Sequence, residues 1–274
     1  MNDVMDPQPK RPKKSDLLVR SLSSIVLGPP VLAAVYLGSP YSDVLIIVSG
    51  VILAWEWAAL CYRRRIEAPG WFLIVSIAGL LMLGAFGYVG LFAPALLSCT
   101  IFLYLYMRFV TRNSDRAFWL TLGLCYLSVT TYALLWLRNS SGNGFETVLW
   151  ILLVVWLTDI GAYFFGKSIG GPKIAPSISP KKTWAGLIGG MISAAVISYI
   201  FAEFTELYDP LILSIFGASL AVVSQMGDFF ESHIKRRFDA KDSSNLIPGH
   251  GGLFDRVDGL LACSLLVFLI HLVY

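Results

Sequence analysis

Apolar runs of about twenty residues, each long enough to cross roughly 30 Å of hydrocarbon, recur along this chain and leave it few ways to fold. Within lipid every backbone N–H and C=O must find its partner inside the protein, so runs of this length predict helices. They fall near 19–37, 43–60, 71–88, 91–107, 117–137, 146–165, 184–202, 210–228 and 258–274. The expected fold is therefore all-α, a polytopic membrane protein with about nine transmembrane helices. A composition of 56% hydrophobic and 14% charged residues is too apolar for a soluble domain of 274 residues. The third and fourth runs are separated only by the stretch from Gly87 to Gly90, which calls for a very tight turn. Pro29 and Pro30 predict a kink in the first run, and Gly186, Gly189 and Gly190 predict close helix packing. Trp55, Trp57, Trp71, Trp119, Trp136, Trp150 and Trp184 lie mostly toward span ends and read as interfacial anchors.

Charge orients the spans. With a cytoplasmic N-terminus, twenty of the twenty-one Lys and Arg residues fall on the cytoplasmic side, Arg138 being the exception. Glu203, Glu206 and Asp209 sit in an outer loop without a cation. Residues 1–18 read as a disordered basic tail with no cleavable signal peptide. Residues 19–137 read as N-terminal transmembrane helices, and 138–274 as a catalytic membrane region with cytoplasmic loops at 166–183 and 229–257. An integral membrane location, with the two long polar loops in the cytoplasm, is expected. Nucleic acid is not an expected partner, because the cations follow topology and form no aromatic–basic stripe. Cys61, Cys99, Cys125 and Cys263 lack paired spacing and read as small apolar residues.

Polar chemistry concentrates in two places. Asp159 and Asp228 are acids within apolar runs, where desolvation is costly and a functional role is the default expectation. Glu56 is a weaker case, with a structural hydrogen bond at least as good an account. The loop after Asp159 supplies Ser179, Lys181, Lys182 and Thr183, a set suited to phosphate oxygens at the start of a helix. If the helix carrying Asp228 continues, Asp228, Glu231, Ser232, Lys235 and Arg236 share one face. That helix should stop before Pro248. Beyond it, His250, Gly251 and Gly252 form a turn of little bulk, followed by Asp255, Arg256 and Asp258. Carboxylates without Cys favour Mg²⁺ over Zn²⁺, and the neighbouring cations, Lys241 among them, suggest a metal–polyphosphate complex.

The run Ser232, Ile234, Lys235, Arg236, Lys241, Asp242, Ser244, Ile247, Pro248, His250, Gly251, Gly252, Leu253, Asp255, Arg256, Val257, Asp258 resembles the signature of the phosphatidate cytidylyltransferases, or CDP-diacylglycerol synthases. Every signature position is filled over 27 residues. Ser179-Pro180-Lys181-Lys182-Thr183-Trp184 is similar to the family's second motif, with Ala185 where many members carry Glu. The resemblance implies a polytopic enzyme that takes CTP and phosphatidate and uses Mg²⁺ to make CDP-diacylglycerol and pyrophosphate in phospholipid synthesis. It implies Asp228, Asp255 and Asp258 as metal residues, and Lys235, Asp255, Arg256 and His250 as catalytic residues. Ser179, Lys181, Lys182, Thr183, Ser232, Arg236, Lys241, Gly251, Gly252 and Asp159 would bind substrate. A second metal ion and a homodimer are compatible with the sequence. The rival readings are a CTP-dependent lipid-alcohol kinase and, further off, a cation transporter. An opening between spans near Asp159 and Asp228 is the expected lipid entrance.

Overall fold

The structure, a computed structural model, describes residues 26, 28–63, 65–140, 142–248 and 251–273. The basic tail expected at 1–18 and the expected catalytic residue His250 lie outside these residues.

The polypeptide folds as a helical bundle. Its helices are α1 (Gly28–Leu37), α2 (Tyr41–Tyr62), α3 (Ala68–Ala85), α4 (Val89–Leu105), α5 (Ser114–Asn139), α6 (Gly144–Ser168), α7 (Trp184–Thr205), α8 (Pro210–Arg237) and α9 (Phe254–His271). By length and composition, seven of the helices among the described residues can cross a membrane: α2, α3, α4 with the π-helical turn Tyr106–Val110 that continues it, and α5 to α8. α3 and α4 are joined by a three-residue turn in which Gly87 takes φ +80°, the tight connection that the spacing required. Pro29 and Pro30 stand in the first turn of the described part of α1.

Several ends are set locally. The Asn113 side chain accepts the Arg116 N–H at the start of α5. Asp209 does the same for Ile212 at the start of α8, with Pro210 in the first helical position. α6 and α7 pack so closely that a Cβ on Gly190 would stand 3.0 Å from the Thr158 carbonyl oxygen.

Two apolar clusters fill the interior. One joins α2, α3, α4 and α5 around Leu53, Trp57, Leu73, Ile77, Leu120 and Leu124. The other joins α5 to α9 around Val148, Ile151, Ala194, Leu220 and Val267. α5, α8 and α9 contribute to both clusters, so the two halves of the chain share one packed body.

Tryptophan placement departs from the interfacial reading. Trp57 is fully buried and donates its indole N–H to the Trp119 carbonyl at 2.9 Å, against Tyr126, Phe230 and Phe254. Trp150 is also buried and donates to Ser198 Oγ. Both indoles found their polar partner inside the bundle and did not need the interface.

One element was not anticipated. Part of the 166–183 loop is a two-stranded antiparallel ribbon, β1 (Lys173–Ala175) with β2 (Ser179–Thr183), paired Lys173 to Thr183 and Ala175 to Ser179. The ribbon leads straight into α7, so its last residues are held at the same end of the bundle as the end of α8.

Candidate active site

α8 carries its charged groups in its last three turns. Asp228, Glu231, Ser232 and Lys235 follow at helical spacing, while Ile234 points into the core. Ser232 donates its hydroxyl to Asp228 Oδ1 at 3.2 Å. Arg236, on the far edge of that face, donates instead to the Ala240 carbonyl and helps close the end of the helix.

Lys235 lies between two acids. Its Nζ stands 2.7 Å from Glu231 Oε2 and 2.6 Å from Asp255 Oδ1, with its side chain 12% exposed. A buried ammonium needs such partners, because desolvation without them costs several kcal/mol, on the order of 3–5 when one is removed.

α9 supplies Asp255 and Asp258 from its first turn and a half. Asp255 precedes the apolar run of that helix. Its Oδ2 accepts the Gly252 N–H at 2.8 Å and both the N–H and hydroxyl of Ser243 at 2.9 Å. Burial pushes this carboxyl up, but the Lys235 ammonium and the amide N–H groups of Gly252 and Ser243 outweigh it and hold the group well below the usual carboxylate range. Asp255 is thus ionised at neutral pH.

The turn before α9 is built for glycine. Gly251 takes φ +85°, and a Cβ there would stand 2.8 Å from Asp255 Oδ2. At Gly252 a Cβ would overlap Ser243 Oγ and Glu56 Oε1. Gly252→Ala is expected to cost about 1–3 kcal/mol through this overpacking, read as a lowered Tm of the detergent-purified chain. An unchanged Tm would mean that the turn relaxes freely.

A second cluster of acids forms beside Lys235. One carboxylate oxygen from each of Asp228, Glu231 and Asp258 lies within 4.8 Å of the others. Lys182, from β2, forms an ion pair with Asp228 and lies 4.6 Å from the centre of the Phe229 ring. Glu231 Oε1 is buried and meets no hydrogen-bond donor among the described residues. Three carboxylates, one of which keeps a buried oxygen without a donor, fit a hard divalent cation better than they fit each other. Asp159, on α6, lies near enough to Asp228, Asp258, Lys182 and Arg256 to interact with their charges.

The family model described as "Cytidylyltransferase family" matches residues 18–274, nearly the whole chain. The chain belongs to this cytidylyltransferase family. A phosphatidate cytidylyltransferase of Brucella suis biovar 1 (strain 1330) is 36% identical over 265 residues, covering 95% of each chain. One from Bacillus subtilis (strain 168) is 31% identical over 253 residues, 90% of this chain and 94% of that one. One from Haemophilus influenzae is 32% identical over 292 residues, 89% of this chain and 94% of that one.

On this cytidylyltransferase the geometry brings together Asp228, Ser232, Lys235, Asp255, Asp258, Lys182 and Asp159. It sets others apart. The Thr183 hydroxyl is buried and accepts the Gly186 N–H as the N-cap of α7. Lys181 and Lys241 are exposed on the ribbon and on the loop after α8, and Ser179 is half-buried at the start of β2, while Arg256 is exposed on α9 but within electrostatic reach of Asp159. Ser243 and Glu231 carry more of the site than the sequence suggested. Glu231 was legible in principle, three residues after Asp228 and four before Lys235. Ser243 gave no signal, because its partners are twelve residues away at Asp255 and in another helix at Glu56.

Proposed function

We propose that this chain is a phosphatidate cytidylyltransferase, transferring CMP from CTP to phosphatidate to give CDP-diacylglycerol and pyrophosphate. The observation that carries the reading is the trio Asp228, Glu231 and Asp258 with Lys182 and Lys235 at its edge. It sits in a chain matched almost end to end by the family model and by relatives of that name.

Asp228, Glu231 and Asp258 would hold Mg²⁺, and Asp255 orients Lys235. When bound, the ion supplies positive charge to the phosphate oxygens of the nucleotide. A phosphate oxygen of phosphatidate attacks the α-phosphorus of CTP, forming a new P–O bond as the bond to the β-phosphate breaks, and pyrophosphate leaves with the electron pair. The protein positions the two anions and neutralises their repulsion. Lys182, Lys181, Lys241 and Arg256 would meet phosphate oxygens at this end of the bundle. Ser232 and Thr183 serve neither as nucleophile nor as base: one hydroxyl donates to Asp228 and the other caps α7. The lipid reaches the site beside Asp159, where Ile160, Tyr163 and Phe164 present exposed apolar faces. The loops face the cytoplasm of a bacterial cell, where CTP is found, in keeping with the Lys and Arg distribution.

Detergent-purified chain given CTP is expected to release pyrophosphate only when phosphatidate and Mg²⁺ are both present, and to stop on addition of EDTA. Formation of CDP in place of pyrophosphate, with a lipid alcohol as acceptor, would move the chain to the kinase reading.

A further inference from the structure

Glu56 is joined to the loop beside the site although it belongs to the N-terminal half of the chain. It is fully buried in α2. Its carboxylate meets four hydrogen-bond donors, of which the Ser243 hydroxyl is shared with Asp255. Oε1 takes the Ser244 hydroxyl at 2.6 Å and the Leu253 N–H at 2.8 Å, and Oε2 takes the Phe254 N–H at 2.7 Å and the Ser243 hydroxyl at 3.2 Å. All four donors belong to the loop between α8 and α9 or to the first residue of α9. Two of them are backbone groups at the N-terminus of α9, where N–H groups have no partner within the helix.

From Glu56 a line of contacts runs to the acid trio. Ser243 Oγ lies within reach of both Glu56 Oε2 and Asp255 Oδ2, at 3.2 and 2.9 Å. Asp255 Oδ1 holds Lys235, and Lys235 holds Glu231. Next to Glu56, Trp57 packs on Phe254 with ring centres 5.7 Å apart, fixing the same turn from its apolar side.

We infer that Glu56 is a positioning residue for the reaction, setting Ser243, Ser244, Leu253 and Phe254 and, through Ser243 and Asp255, the placement of Lys235 and Glu231. A carboxylate is suited to this because it offers acceptors on both oxygens and no donor. A glutamine of the same size puts an NH₂ group against one amide N–H and one hydroxyl, whichever way it is turned. The kinetic part of this inference rests on the cytidylyltransferase reading; the loop part does not.

The test compares wild type, Glu56→Gln and Ser244→Ala as detergent-purified full chains, by amide hydrogen exchange and by steady-state kinetics. In Glu56→Gln, exchange in 243–254 is expected to speed up about tenfold or more, with α6 and α7 unchanged. Its kcat is expected to fall on the order of a hundredfold with the CTP KM within about threefold, as misplaced catalytic groups lower rate more than binding. Ser244→Ala, which removes the 2.6 Å contact with Glu56 and an exposed acceptor for the Leu246 N–H, is expected to show the same pattern at smaller amplitude, and it decides the matter if Glu56→Gln does not fold. Wild-type exchange and kcat in these variants would overturn the inference. So would faster exchange spread evenly over all helices, which would make Glu56 a residue of general stability. If wild type itself released no pyrophosphate, the functional reading would fall and the exchange comparison would still decide the loop.

Discussion

Asp228→Asn is expected to lower pyrophosphate release on the order of a thousandfold while leaving the chain folded. The asparagine keeps the size of the side chain and an acceptor for the Ser232 hydroxyl, but it removes the charge that pairs with Lys182 and that closes the trio with Glu231 and Asp258. Three carboxylates within 4.8 Å repel one another, and relief of that repulsion offsets the lost ion pair with Lys182, so removing this charge should not unfold the protein. Activity and stability are therefore expected to move apart: kcat collapses, and the Tm of the metal-free chain stays level or rises. A fully active Asp228→Asn would remove this acid from the site. A variant that lost activity only in proportion to lost Tm would make Asp228 a structural residue.

Lys235→Met is expected to be as severe, for a different reason. The ammonium is the shared partner of Glu231 and Asp255, and its side chain is 12% exposed. Methionine fills the space but leaves two buried carboxylates facing each other, a loss of about 3–5 kcal/mol. For a chain of this size that corresponds to a Tm lower by roughly 6–20 °C. Activity should vanish as well, because Asp255 loses the group it orients. Adding Glu231→Gln to Lys235→Met removes one of the stranded charges, so Tm is expected to recover in part while activity stays absent. A Lys235→Met protein with unchanged Tm would show that solvent or another cation reaches these acids.

The helices were legible because a membrane demands long apolar runs, and the observed ends of α2 to α8 lie within a few residues of those runs except at α8. There the apolar run ends near Asp228, whereas the helix continues to Arg237, carried by the amphipathic spacing of Glu231, Ile234 and Lys235. The ribbon at Lys173–Thr183 escaped notice because five residues of Ser, Pro, Lys and Thr carry no alternating apolar pattern. In the site, the residues that announced themselves were charged and adjacent to glycine. The wiring between them was not legible. Nothing local to Glu56 says that its partners lie nearly two hundred positions away, at Ser243, Ser244, Leu253 and Phe254. Asp255 stood among the expected metal ligands on chemistry alone; the fold turns its oxygens to Lys235, Ser243 and Gly252 and brings Glu231 to Asp228 and Asp258.

The chemistry itself is tested most directly by following the phosphorus of CTP. Purified chain would be given phosphatidate, Mg²⁺ and CTP labelled at either the α- or the γ-phosphorus, and the lipid fraction counted. Nucleotidyl transfer predicts the α label in the lipid and the γ label in pyrophosphate. The γ label in the lipid, with the α label left in CDP, would contradict it.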